Sequence, residues 1–223
     1  MNVLGLDTST PASAACVLRD DGQAFEVVPA VDELGAPPAH SRDLLVRVAD
    51  SMERAGIGFE DLDAVAVGTG PGSFTGLRVG IATARAVAAA HDLELRAVSS
   101  LAALAAGIDA PARLPLIDAR RGEVFAALHG SEGERWPPFA APPEEVAERV
   151  QADGANPLAA GDGSLRFRRV LEAAGVRVAP DGSQVHVVRA LHVCRLALAA
   201  PPVAPEAVLP TYIRDPDARP TSP

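Results

Sequence analysis

The sequence predicts an α/β fold, and three observations carry that prediction. Apolar runs of strand length come first, followed by strands that alternate with helical patterns. The run Asp63-Ala-Val-Ala-Val-Gly68 is apolar without alternation, as a strand covered on both faces must be. It then passes through Thr69-Gly-Pro-Gly-Ser-Phe-Thr-Gly76 into a helical stretch from Leu77 to His91, a strand–turn–helix unit.

Each element has a local reason. Val3-Leu6 is a short strand ending in Asp7-Thr-Ser-Thr10. Ala14-Leu18 and Gln23-Val28 flank Asp20-Asp21-Gly22, turn residues between apolar runs, and so predict a hairpin. Leu44, Leu45, Val48 and Met52 recur at helical spacing, which predicts a helix with Ser41 as N-cap that ends before Gly56. A strand at Leu93-Val98 and a helix at Ser99-Ala106 follow. Antiparallel strands, then a β-α-β-α run, is the order of an RNase H-like sheet. Beyond Pro111, Leu114-Asp118 and Glu123-Leu128 predict a second hairpin around Arg120-Arg121-Gly122, and Glu144-Gln151, Leu165-Ala174 and His186-Ala199 predict helices. The last 23 residues hold seven prolines, so most of that tail cannot be helix or central strand. The organisation expected is a first unit over 1–107, a second over 108–204, and a tail over 205–223 that docks through 209–214.

Composition narrows the function. A formal charge of −9 argues against a chain that grips nucleic acid alone, because phosphate contacts need clustered positive charge. All 20 basic residues are arginines, so no Walker lysine exists. The dinucleotide pattern fails as well: the third glycine after Gly70 and Gly72 should be residue 75, which is Thr75, and after Gly68 it should be residue 73, which is Ser73. The first residues lack the charged region of a signal peptide, no apolar helix is long enough for a membrane, and two cysteines make no disulfide framework. A cytoplasmic protein is expected.

Few constellations could carry chemistry. Asp7, Thr8 and Ser9 lie at a strand end, where acid and hydroxyl groups can hold Mg²⁺-phosphate; a strand-end turn satisfied by its own side chains is the plainer reading. The five histidines are scattered without His-x3-His or His-Glu-x-x-His spacing, so no metal site is expected. No Gly-x-Ser-x-Gly elbow occurs, and no catalytic residue is assigned. Gly76, Gly80, Ala84 and Ala88 recur every four residues and form a small-residue stripe. Packing on the chain's own sheet and packing on a partner are equally good readings of it.

The motifs accumulate into a resemblance. Leu6-Asp-Thr-Ser-Thr10, His40-Ser with Leu44-Leu45, Gly70-Pro-Gly-Ser-Phe-Thr-Gly-Leu-Arg78, Val98-Ser-Ser-Leu101, Asp118-Ala-Arg-Arg121 with Glu123-Val-Phe125, and Pro210-x-Tyr-Ile-Arg214 occur in that order. Together they resemble the TsaB family, also called YeaZ, which takes part in tRNA threonylcarbamoyladenosine synthesis. The likeness spans nearly the whole chain and is weakest between about 131 and 187.

The resemblance implies an actin/Hsp70-like (ASKHA) fold of two RNase H-like halves, the second degenerate. It implies a non-catalytic paralogue of TsaD that pairs with it, as a heterodimer or alone as a homodimer, through helices near 40–55 and 75–91. Ser41, Leu45, Val48, Met52, Arg78, Val79, Ala82 and Arg85 are then the expected partner interface, with Gly70, Pro71, Gly72 and Gly76 shaping the turn. TsaD transfers threonylcarbamoyl to N6 of adenosine 37 in tRNAs that read codons beginning with A. The ATPase TsaE joins the complex, and tRNA is met only through it. No cofactor is expected on the chain itself, while a nucleotide at the subunit boundary stays open. The His-x3-His metal pair of the catalytic paralogue aligns with Ser100 and Leu104. The competing reading is an actin-like ATPase or small-molecule kinase built on Asp7.

Overall fold

The apolar runs assemble into two mixed sheets in a computed structural model that describes residues 1–213. The first sheet contains β1 (Val3–Asp7), β2 (Ala14–Leu18), β3 (Ala24–Val27), β4 (Ala64–Gly68) and β5 (Glu94–Val98), in the order β3-β2-β1-β4-β5. β1 to β3 are antiparallel neighbours, whereas β4 and β5 run parallel to β1. All five residues of β4 are buried, which explains why it shows no alternation.

The second sheet contains β6 (Arg113–Arg120), β7 (Glu123–Gly130), β8 (Gly133–Ala141), β9 (Leu158–Ala160) and β10 (Arg177–Val178), in the order β10-β9-β6-β7-β8. Its topology repeats the first. A three-strand antiparallel meander starts from the central strand, and two parallel strands lie on that strand's other side. The repeat is degenerate: β9 and β10 have three and two residues. This is an α/β actin-like (ASKHA) fold of two RNase H-like halves.

Helices α1 (His40–Ala55) and α2 (Phe74–His91) cover one face of the first sheet, packing Leu44, Val48, Met52, Ile81, Ala84 and Ala88 against β1 and β4. Between the two sheets lie α3 (Ser100–Ala106) and α7 (Ala190–Ala197). Leu101, Leu104, Val193 and Cys194 form one core there with Val3 and Cys16 of the first sheet and Ile117 and Ala127 of the second. Helix α7 comes late in the chain yet lies against the first sheet, and the Arg189 guanidinium ties it to the Glu26 carboxylate of β3. The outer face of the second sheet is covered by α4 (Pro143–Asp153) and α6 (Arg168–Ala173), whose Val146, Val150 and Leu171 pack on Leu114, Leu116 and Leu128.

Local departures from the sequence pattern have identifiable causes. Helix α1 begins two residues early with Ala39 at the N-cap, and the Ala39 carbonyl accepts from the Arg42 and Asp43 amides, so Ser41 lies inside the first turn. The helix over Leu165-Ala174 is two pieces, α5 (Asp162–Arg166) and α6, because Phe167 leaves helical geometry (φ −109°) and packs against the core. The His186 ring accepts from the Gly161 amide through Nδ1 and lies by the Ala179 and Pro180 carbonyls, holding Val187 and Val188 extended before α7 begins. β8 carries Pro137 and Pro138; it is an edge strand with register shifts, where a missing amide costs little.

Candidate functional site

The polar strand end is buried and hydrogen-bonded within the chain. Asp7, Thr8, Ser9 and Thr10 are all buried. The Asp7 Oδ1 accepts from the Ser9 amide at 2.8 Å and hydroxyl at 2.6 Å, and Oδ2 accepts from the Ser100 hydroxyl at 2.7 Å. Burial pushes the Asp7 carboxyl above the usual carboxylate range, and these bonds offset part of that rise. The Thr8 hydroxyl donates to the Gly76 carbonyl at 2.7 Å, and the Ser73 amide donates to the Ser9 carbonyl at 2.7 Å.

Glycine makes this closure physically feasible. A Cβ on Gly68 would lie under 3.0 Å from the Asp7 carboxylate, and one on Gly72 or Gly76 would meet the Ser9 or Thr8 carbonyl equally closely. Gly80 would strike the Thr8 hydroxyl. Of the two readings of the small-residue stripe, the structure shows the inward one: Gly76, Gly80, Ala84 and Ala88 all face the chain's own sheet. Ser73 caps α2 by accepting from the Gly76 amide at 3.3 Å. The Leu104 side chain packs in the core between the sheets. The Ser100 hydroxyl is committed to Asp7, so neither position offers a metal ligand in this arrangement.

The opposite side of α1 and α2 is apolar and uncovered. Leu45 is 59% exposed, Val46 58% and Phe74 50%. The tail runs along the same side. The Val203 amide donates to the Leu95 carbonyl at 2.8 Å, and the Arg85 guanidinium donates to the carbonyls of Val208 at 2.6 Å and Glu206 at 3.1 Å. The Thr211 amide then donates to the Thr69 carbonyl at 2.7 Å. Tyr212 stacks on Phe74 with ring centroids 5.6 Å apart, and the Arg78 guanidinium lies 3.9 Å over the Phe74 ring while its Nε donates to the Tyr212 hydroxyl at 3.3 Å.

These positions redistribute the expected interface. Ser41, Leu45, Arg78 and Ala82 are exposed on the outer side of the helices, and Val79 is half-buried. Val48 and Met52 are 2% and 6% exposed because their side chains fill the core beneath α1, so they are not on the outer side of the helix. Arg85 is taken up by the tail carbonyls. Within the docking run expected over 209–214, position 214 lies outside the described residues. Val46, Phe74 and Tyr212 were not singled out by periodicity, yet each left a trace. Leu44-Leu45-Val46 is too wide an apolar run for one helix face, Phe74 is the aromatic residue of the glycine turn, and Tyr212 is the chain's one tyrosine.

A cavity of about 470 Å³ opens between the two halves, lined by Pro11, Leu34 and Leu165 with Asp118, Asp162 and Arg166 among its polar groups. Asp118 binds Arg120 at 3.2 Å and Arg166 at 2.8 Å, which places the Arg166 guanidinium inside an ion-pair network. Arg168 is similarly paired, with Glu172 at 2.7 Å and Asp181 at 2.6 Å. Asp162 Oδ1 accepts from the Asp118 amide at 3.1 Å and the Gly163 amide at 2.9 Å. Burial, with the Asp118 charge as a lesser cause, raises its carboxyl to about 6.

Fold and site therefore define an actin-like two-lobed chain whose polar strand end is closed by its own glycine turn and whose uncovered surface is a pair of helices. A family model described as TsaD, tRNA N6-adenosine threonylcarbamoyltransferase, matches residues 27–162. The chain is similar to the tRNA threonylcarbamoyladenosine biosynthesis protein TsaB of Escherichia coli, with 36% identity over 68% of this chain and 67% of that protein. It is also similar to the TsaB of Bacillus subtilis, with 33% identity over 58% of this chain and 55% of that protein. Among solved structures, YeaZ from Pseudomonas aeruginosa superposes with a TM-score of 0.76 at 28% identity, covering 95% of this chain and 99% of that one. The chain belongs to the TsaB (YeaZ) family, and the TsaD-type match fits its paralogy to the transferase.

Proposed function

We propose that this chain is the accessory, non-catalytic subunit of a threonylcarbamoyl transfer system that modifies N6 of adenosine 37 in tRNAs reading codons that begin with A. It docks on a TsaD-type transferase through the outer side of α1 and α2, pairs with itself when that partner is absent, and works beside a TsaE-type ATPase in the cytoplasm. Contact with tRNA, and any nucleotide at the boundary, comes through the assembly. One observation carries this reading: the polar strand end is consumed by internal hydrogen bonds, while Leu45, Val46 and Phe74 stand exposed on adjoining helices. An uncovered patch of this kind marks a protein interface. The relatives named for threonylcarbamoyladenosine biosynthesis supply the pathway.

Reconstitution tests it. Threonylcarbamoyl transfer to tRNA is measured with the TsaD-type and TsaE-type proteins, with and without this chain. Transfer that depends on the chain, and that survives Asp7→Asn in a variant that still folds, supports a scaffold. Equal transfer without the chain would sink the proposal. ATP turnover by the isolated chain that Asp7→Ala abolishes would favour the ATPase or kinase reading instead.

A further inference from the structure

The tail is positioned with a care that its own burial does not explain. From Val203 to Tyr212 it is fixed by backbone bonds to Leu95 and Thr69, by the Arg85 guanidinium and by the ring stack on Phe74. Yet Leu209 is 62% exposed and Tyr212 45%, beside Phe74 at 50%. In this stretch Val208 enters the core and Val203 packs partly against it. Ordering a segment costs conformational entropy, and apolar side chains held rigid but uncovered are preorganised for a partner. The aromatic pair beside a guanidinium also matches the residue types that dominate binding hot spots. Residues 214–223 contain no large apolar side chain that could cover the patch.

We propose that the strap around Leu209 and Tyr212 is part of the docking surface, and that its occupant is the TsaD-type transferase; this rests on the reading above. The match to the transferase family ends at residue 162, so it includes α1 and α2 and excludes the strap. A second copy would bring an identical face, which in a two-fold pair must complement itself. The cationic Arg78, which lies over the Phe74 ring and donates to the Tyr212 hydroxyl, is better met by a chain that has like helices but different side chains, able to supply a carboxylate or a further ring.

The test measures the dissociation constant for the purified transferase, and self-association by sedimentation, for the full chain and three variants. Leu209→Ser combined with Tyr212→Ala is expected to weaken transferase binding by about 10- to 30-fold, as loss of a hot spot does. Melting temperature and α2 amide exchange should stay unchanged. Tyr212→Phe, which keeps the ring, should restore most of the affinity. Leu45→Glu should abolish binding. If Leu45→Glu abolishes binding while the double variant binds like the parent chain, the strap proposal is overturned and the helix face stands. If the double variant loosens α2 exchange, the strap is a brace and the proposal again falls. Loss of self-association alone would assign the strap to a homodimer and overturn it. If Leu45→Glu also binds normally, the reading of the α1–α2 face itself is wrong.

Discussion

Asp162→Asn should stabilise this protein at neutral pH, and the gain should vary with pH in a way that identifies its cause. Asp162 is buried at the cleft between the halves, with its carboxyl raised from 3.8 to about 6 by desolvation. An acid whose folded pKa exceeds its unfolded value holds its proton better when folded. Its contribution is therefore fully present below about 3.8 and is lost as pH rises through about 6. At 1.36 kcal/mol per pKa unit, the move from 3.8 to about 6 corresponds to about 3 kcal/mol, an order-of-magnitude figure. Asparagine removes the ionisation and keeps the Oδ1 that accepts from the Asp118 and Gly163 amides. Urea unfolding of both proteins at intervals from pH 4 to pH 8 checks this. The variant should gain on the parent by about 2–3 kcal/mol between the ends of that range. The buried histidines titrate in both proteins and cancel in the difference. A stability difference that does not change with pH would refute the argument, because a packing effect has no reason to follow a carboxyl titration.

Two further outcomes are expected. Gly68→Ala should cost several kcal/mol or prevent folding, since its Cβ would sit on the Asp7 carboxylate, and chemical denaturation measures the loss. Burial lowers the pKa of His40, His129, His186 and His192, so the folded state resists their protonation. Stability should fall as pH drops below about 6.5, and replacing His40, whose Nδ1 pairs with the Ser13 hydroxyl at 2.9 Å, with Gln should flatten part of that fall.

The first half of the fold was legible because its signals are local. Unbroken apolar strands and the Asp20-Asp21-Gly22 turn each reside in a few adjacent residues. In the second half, tertiary bonds override pattern. His186 breaks a helical run because its ring is claimed by carbonyls six and seven residues earlier and by the Gly161 amide, contacts that no window of sequence contains. Strand β8 was missed because two prolines argue against a strand, and only its edge position removes the objection. At the site, periodicity found the α1 face but could not separate the side that packs down, Val48 and Met52, from the side that looks out, Leu45 and Val46. That separation depends on where the sheet lies.

The repeated sheet order gives the closed strand end its meaning. β1 and β6 are equivalent central strands, and each carries an acid at its carboxyl end, Asp7 as the last residue of β1 and Asp118 two residues before the end of β6. In an open α/β sheet the carboxyl ends of such strands are where ligands bind. Here the first acid is answered by serine hydroxyls and a glycine turn, and the second by the guanidiniums of Arg120 and Arg166. Both halves thus satisfy their strand-end charge from within. The α2 position differs between halves in the opposite sense: in the first it is an unbroken 18-residue helix, and in the second it is the broken pair α5 and α6 of five and six residues. A fold that neutralises its strand ends yet keeps one long helix with Phe74 exposed at its start leaves that flank as the surface on which the proposed partner would dock. The glycine turn serves both features, since the contacts that seal Asp7 and Thr8 also fix where α2 begins.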